Sequence, residues 1–224
     1  MENTMPVLFT DEEFVNIKKL MSLYEWAIAT VMTKLEIIHD DLVNNHENGA
    51  IDYIRSRLKT PESIAQKLHK LGVEMTADSA KQHVKDIAGI RIIAPFATDI
   101  YFLVDLIRTI PDIKIIAEKD FIGNPKESGY RSYHLIVEVP IFYSGKTENV
   151  AVEIQIRTDA MNFWASLEHK AKYKYHDEIP KHLSDELVVI ADKIAELDHR
   201  MFLIHEIISL ISGDDGIQGS YERR

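Results

Sequence analysis

Val150-Ala-Val-Glu-Ile-Gln-Ile-Arg157 alternates without a break. Val150, Val152, Ile154 and Ile156 fall on one side of an extended chain, and Ala151, Glu153, Gln155 and Arg157 on the other. The first side is a core face. The second sets a carboxylate, an amide and a guanidinium in a row. Charged groups on a strand that reads as central need partners or a ligand, because taking them out of water uncompensated is costly. A sheet face covered by a salt-bridged helix would also suit the pattern, and spacing alone leaves both readings open.

Four more strands follow, moving outward. Ser132–Val139 precedes the quoted stretch, and Ser144-Gly145-Lys146 between them has the composition of a hairpin turn. Ile87–Ala94 is β-branched, reads as a central strand and ends at Pro95. Ile51–Lys59 alternates with Tyr53, Arg55, Arg57 and Lys59 on one side, and Ile113–Ala117 completes the set. Helices fill the remainder. Thr10-x-x-Glu13 is a capping box ahead of a periodic run predicted to be helical from Asp11 to Val43. Thr60 and Pro61 open a short helix that Gly72 closes. Another follows Thr76, and Thr98 is expected to cap a helix from Asp99 to Ile110. Asp159–Tyr175 and Pro180–Ser212 are the last two, with Phe121–Gly129 a loop. The expected fold class is α+β (mixed α/β): about five strands in a mixed sheet flanked by helices, with long N- and C-terminal helices. One domain is expected over residues 1–212, with a polar tail from 213 to 224 that frays.

Composition narrows the function. The chain has 224 residues, 46% of them apolar, enough for one domain with a substantial core. Cysteine is absent, which excludes disulfides and thiolate metal sites and fits a reducing, cytoplasmic setting. The acidic start MENTMPVLFTDEE is no secretory signal, and no apolar run is long enough for a membrane span. The net charge of −10 argues against duplex DNA as a partner. Single-stranded RNA is not indicated either. A phosphate ligand would need a local basic cluster. Walker A, G-x-S-x-G, H-E-x-x-H and G-x-G-x-x-G patterns are all missing. His39-Asp40 and His176-Asp177 hint at a metal-dependent phosphohydrolase, but no further His/Asp set completes one.

Three candidate groups remain. Asp86 and Glu153, on neighbouring strands, could hold Mg²⁺, which favours oxygen ligands shared with phosphates; a lone Asp more commonly caps a turn. Arg55, Arg57, Lys59 and Lys67, with Ser63 on the same helix face as Lys67, form the basic cluster, unless they are simply a solvated face. Lys126-Glu-Ser-Gly-Tyr-Arg-Ser-Tyr-His134 combines a flexible glycine with Tyr130, which could stack on a base, and with His134, which could equally be structural.

Together these segments resemble the synthetase domain of RelA/SpoT-type alarmone enzymes, and look most like the stand-alone small alarmone synthetases of Firmicutes. The resemblance is carried by Arg57-Leu-Lys59 with Pro61-Glu-Ser63 and Lys67, Asp86-Ile-Ala-Gly-Ile-Arg91, Lys126 to His134, Val152 to Thr158, and Ala160 to Ala165 with Glu168-His169, all in family order. It covers about residues 10–210 and implies a nucleotidyltransferase-like sheet. It also implies transfer of pyrophosphate from ATP to the 3′-hydroxyl of GDP or GTP. By that resemblance Asp86 and Glu153 hold Mg²⁺, and Glu153 helps deprotonate the acceptor. Arg57, Lys59, Ser63 and Lys67 grip the ATP phosphates, and Arg57 and Arg91 sandwich adenine. Tyr130 stacks on guanine with Gln155 and Asn162 nearby, while Lys126 and His134 reach the acceptor's phosphates. It further implies a homotetramer, for which Leu187, Ile190, Ile194, Leu197, Met201, Ile204, Ile208 and Leu210 offer a broad apolar stripe. One family branch is activated by its pentaphosphate product through basic residues of the first helix. Met32, Glu36 and His39 fall near those positions, and Arg55 replaces a small residue, so activation is expected to be weak or lost. No hydrolase or regulatory domain is expected to flank the synthetase. A tRNA 3′-end pyrophosphokinase and an inactive nucleotide or RNA sensor are the rival readings; the acidic charge opposes the first and the complete side-chain set opposes the second.

Overall fold

A computed structural model describes residues 9–44, 49–175 and 179–212. The tail from 213 to 224 and the pair His176-Asp177 lie outside the described residues. The elements run α1 (Asp11–Asn44), β1 (Tyr53–Leu58), α2 (Pro61–Leu71), α3 (Ala77–His83), β2 (Ala88–Ala94), α4 (Ala97–Arg108), β3 (Lys114–Asp120), β4 (Tyr133–Tyr143), β5 (Lys146–Thr158), α5 (Asp159–Lys174) and α6 (Lys181–Ser212). The five strands form one sheet in the order β1-β2-β5-β4-β3. Only β2 and β5 pair in parallel; the other neighbours are antiparallel, so the sheet is mixed. The expected fold class holds.

One face of the sheet is apolar across the middle of β2, β5 and β4. Ile90, Ile92, Leu135, Val137, Val152, Ile154 and Ile156 are buried there, and α1 covers them with Ile17, Tyr24, Ala27, Ile28, Val31 and Leu35, beside Ile100, Leu103, Val104 and Ile107 of α4. A second, smaller cluster joins Trp164 and Ala165 of α5 to Leu187 and Ala191 of α6, with Tyr130, Ile190 and Ile194 packed on it. The Trp164 indole donates to the Leu187 carbonyl at 2.8 Å, which anchors the start of α6. Among the described residues no helix is long and apolar enough to cross a membrane.

Several boundaries differ from expectation. The β4–β5 hairpin is longer at both ends of its turn, because Ser144 and Gly145 adopt φ values of 49° and 79° and close a two-residue loop whose twist matches the strands. Helix α4 starts at Ala97, not Asp99: Thr98 is not the cap, and Asp99 Oδ2 accepts the Phe96 N–H at 3.0 Å instead. The helix also ends earlier, at Arg108. Strand β3 runs on to Asp120, past a bulge between Ile115 and Ala117. The capping box of α1 is half made: Thr10 Oγ1 accepts the Glu13 N–H at 3.3 Å, but the Glu13 carboxylate turns away to accept the Ala77 N–H at 2.9 Å. It thereby satisfies an orphan donor at the start of α3. Thr60, Thr76 and Thr158 do cap α2, α3 and α5.

Candidate active site

Side chains paired across neighbouring strands share a face. On the face opposite α1 the register therefore builds rows. Arg57, Gly89, Glu153 and Ile136 make one, and Arg55, Arg91, Gln155, His134 and Lys119 the next. Tyr53, Ile93 and Arg157 make a third. Residues from five strands thus converge on a single surface, with Glu153 near its centre. Gly89 leaves the floor without a side chain between Arg57 and Glu153.

At the β1–β2 end, Lys59 Nζ and Lys67 Nζ both contact the Asp86 carboxylate, at 3.1 and 2.7 Å. Burial pushes the Asp86 carboxyl up, but the Lys67 hydrogen bond and the two ammonium charges outweigh it and hold it below its ordinary range. Ser63 stands at the start of α2, its N–H donating to the Thr60 hydroxyl, which in turn donates to Ser63 Oγ. Arg57 is exposed on the edge strand. Arg91 donates to Asn162 Oδ1 at 3.2 Å, and its buried Nε has no hydrogen-bond partner. Burial and the charges of Arg157 and Arg57 lower its affinity for the proton. Desolvated guanidinium groups that repel one another make a site short of negative charge.

At the β4 end, Glu153 Oε1 lies 3.3 Å from His134 Nδ1, and Glu153 Oε2 accepts from Gln155 Nε2 at 2.9 Å. Burial raises the Glu153 carboxyl, the hydrogen bond from His134 pulls it down, nearby Asp86 raises it and Gln155 lowers it; it rests below its ordinary range. The two carboxylates sense each other, and Mg²⁺ commonly takes one or two carboxylates and completes its shell with water and phosphate. Among the described residues no group of three or more His, Cys, Asp or Glu side chains forms a metal position. The donor set fits an ion that needs substrate oxygens, and the two lysines on Asp86 stand in as its counter-charge. Beyond Glu153, Tyr130 Oη meets His134 Nε2 at 2.7 Å, and Lys126 Nζ lies 4.9 Å from the Tyr130 ring centroid.

A sequence region found in RelA / SpoT proteins matches residues 56–178, just over half of the chain. The chain belongs to the RelA/SpoT family. GTP pyrophosphokinase YwaC of Bacillus subtilis (strain 168) is 44% identical over 184 residues, 82% of this chain and 88% of its own. The crystal structure of small alarmone synthetase 2 from Bacillus subtilis is 40% identical, with a TM-score of 0.77 over 85% of this chain and 98% of the other. That of small alarmone synthetase 1 from the same organism, bound to its product pppGpp, is 32% identical with a TM-score of 0.80, over 86% and 98%.

Asn162 Oδ1 accepts a hydrogen bond from Arg91, which stands in register with Gln155. His134 faces Glu153 and Tyr130. Arg55 stands on the site face in register with Arg91, on the same side as Arg57 as the alternation implied, its guanidinium 5.0 Å from the Tyr53 ring centroid. The phosphohydrolase hint finds no support at His39, which sits on α1 with no metal-ligand group around it among the described residues. Sequence reading placed Arg157 on the correct face but gave it no role, and missed buried Ser132 altogether. The signal for Arg157 was present: a third polar residue in alternation on a central strand.

Proposed function

We infer that the chain is a GTP pyrophosphokinase, transferring the β,γ-pyrophosphate of ATP to the ribose 3′-hydroxyl of GDP or GTP, with ppGpp or pppGpp and AMP as products. The observation that carries this is Glu153: a carboxylate on a central strand, kept ionised despite burial, between a cationic cluster and an aromatic ring. Membership of the family and the likeness to small alarmone synthetases support the same reading.

The division of labour is the one the family resemblance implies, and the placement of the side chains supports it. Arg57, Lys59, Ser63 and Lys67 face the ATP phosphates, and Arg57 and Arg91 offer planar cations to adenine. Tyr130 takes the guanine ring, with Gln155 alongside and Asn162 steadying Arg91. Lys126 and His134 lie toward the acceptor's phosphates. Asp86 and Glu153 would hold Mg²⁺, which offsets charge on the triphosphate. The acceptor 3′-oxygen attacks the β-phosphorus in line, the bond from the β-phosphorus to the bridging oxygen breaks, and AMP leaves with that oxygen. Glu153 takes the 3′-hydroxyl proton. Positioning and electrostatics supply the acceleration, so no covalent nucleophile is needed.

The reading suits the cytoplasm, a reducing compartment that supplies ATP, GDP and GTP and that a cysteine-free chain fits. Assembly as a homotetramer suits the exposed apolar side of α6. Product activation is weak or absent, since α1 presents Met32, Glu36 and His39 where basic residues are needed; adding pppGpp to a rate assay leaves turnover within about twofold, and a severalfold rise would count against it. The central test incubates the protein with Mg²⁺, ATP and either GDP or GTP and resolves products by ion exchange. AMP and a guanosine tetra- or pentaphosphate appear together, and Glu153→Gln loses both. Untouched ATP with both acceptors, with labelled tRNA modified instead, would overturn the assignment.

A further inference from the structure

We propose that Arg157 is a positioning residue of the acceptor subsite, fixing from within the sheet the ring and the amide that meet the guanine base. This rests on the acceptor roles of Tyr130 and Gln155 given above. Arg157 is only 5% exposed, and its hydrogen bonds go to neutral oxygens. Its Nε donates to Ser132 Oγ at 3.2 Å, and its Nη2 donates to Gln155 Oε1 at 2.9 Å and to Tyr130 Oη. Its guanidinium carbon lies 5.0 Å from the Tyr130 ring centroid. A buried cation with no carboxylate in direct contact is costly to keep.

Donor counting shows what the arrangement achieves. Nη2 carries two hydrogens and both are used. Gln155 must then turn Oε1 toward Arg157, which leaves Nε2 for Glu153 Oε2. Tyr130 Oη accepts from Arg157, so its own hydrogen is free for His134 Nε2, and His134 Nδ1–H remains for Glu153 Oε1. Two donor chains start at one guanidinium and end on the two oxygens of one carboxylate. The closed ring fixes the Tyr130 hydroxyl, the Gln155 amide and the His134 tautomer before any substrate arrives. An ammonium group cannot replace it, because a point charge does not serve three acceptors around a planar fork.

The alternative is a plain strut joining β4 to β5 through Ser132. A strut would alter stability, or both substrates equally; a positioning residue separates them. Arg157→Lys and Ser132→Ala are compared with the unmodified full chain in initial rates, GDP calorimetry without ATP, and thermal melting. In Arg157→Lys, KM and Kd for GDP rise about tenfold or more, the scale of a lost charge-assisted hydrogen bond, while KM for ATP stays within about twofold. Ser132→Ala, which removes only the Nε acceptor, raises KM for GDP severalfold with little change in melting. Tyr130→Phe and Arg157→Lys combine less than multiplicatively, since both break the same bond. Unchanged GDP binding in folded Arg157→Lys, equal rises for both nucleotides, or strictly multiplicative effects would overturn the proposal. If Arg157→Lys fails to fold, Ser132→Ala decides alone: an unchanged KM for GDP rejects it. A wild-type protein that binds GDP but forms no AMP sinks the activity assignment, while calorimetry still judges Arg157.

Discussion

Gly129 occupies the tightest backbone position beside the proposed acceptor subsite. Its φ is +87°, and a Cβ there would stand 2.6 Å from Ala191 Cβ and 3.4 Å from Val188 Cα. Gly129→Ala is expected to cost roughly 2–3 kcal/mol through strain and overpacking, and to displace Tyr130. Urea denaturation with KM for GDP checks both; a full-strength site in a destabilised protein would show that α6 gives way instead of the loop. Asp86 makes a pH prediction. Its folded pKa is depressed by Lys67 and Lys59, so the stability it contributes is present above the unfolded carboxylate range and lost as pH falls through the folded value. The stability gap between the wild type and Asp86→Asn should therefore narrow on acidification below about pH 4. A gap that stays constant down to the acid transition would refute this coupling.

Where α4 begins, the last turns of α6 arrive. The Phe96 ring lies 5.6 Å from Phe202 and 4.9 Å from His205, centroid to centroid. Beneath them burial pushes the Asp99 carboxyl up to about 6, opposed by the Phe96 N–H and His205 and reinforced by Asp52 and Glu206. The sign is opposite to that of Asp86. A raised carboxylate makes the folded state hold its proton longer, so its contribution falls as pH rises from the unfolded value toward about 6 and stays lower above it. Asp99→Asn should gain relative to the wild type across that window, in denaturant midpoints taken stepwise through it; a constant difference would show that Asp99 does not titrate there. Elements differ in how well they could be read. Alternation in β5 and β-branching in β2 exposed the core face and the row of polar residues, since period two is a local property. The outer half of the β4–β5 hairpin was hidden because Tyr143, Lys146, Thr147 and Glu148 look like loop yet pair across the turn. The α4 boundary was misjudged because two capping residues stand side by side, Thr98 and Asp99, and only geometry chooses between them. Partnerships such as Arg157 with Ser132, 25 residues apart, or Arg91 with Asn162, 71 apart, leave no trace in local pattern.

The whole molecule uses two sides of α6. Leu187, Ala191, Ile194, Asp198 and Phe202 turn toward the domain, whereas Leu197, Met201 and Ile204 are 57%, 58% and 50% exposed. From Leu197 the exposed apolar positions 201, 204, 208 and 211 step by four and three, the spacing of a helix–helix seam. Lysine at both Met201 and Ile204 should reduce the sedimenting mass while melting stays near the wild type; unchanged mass would remove this seam from the assembly. The sheet order has a further consequence for motion. Arg57 and Lys59, the cations proposed to meet ATP, belong to or adjoin β1, an edge strand with a single neighbour, while Glu153 and Gln155 lie on β5, flanked on both sides. An edge strand can detach without unfolding the rest. Amide hydrogens of β1 should thus exchange with deuterium well ahead of those of β5, and ATP, not GDP, should slow them. The donor half of the site would then be assembled by its own nucleotide, on a frame that already holds the acceptor half in place.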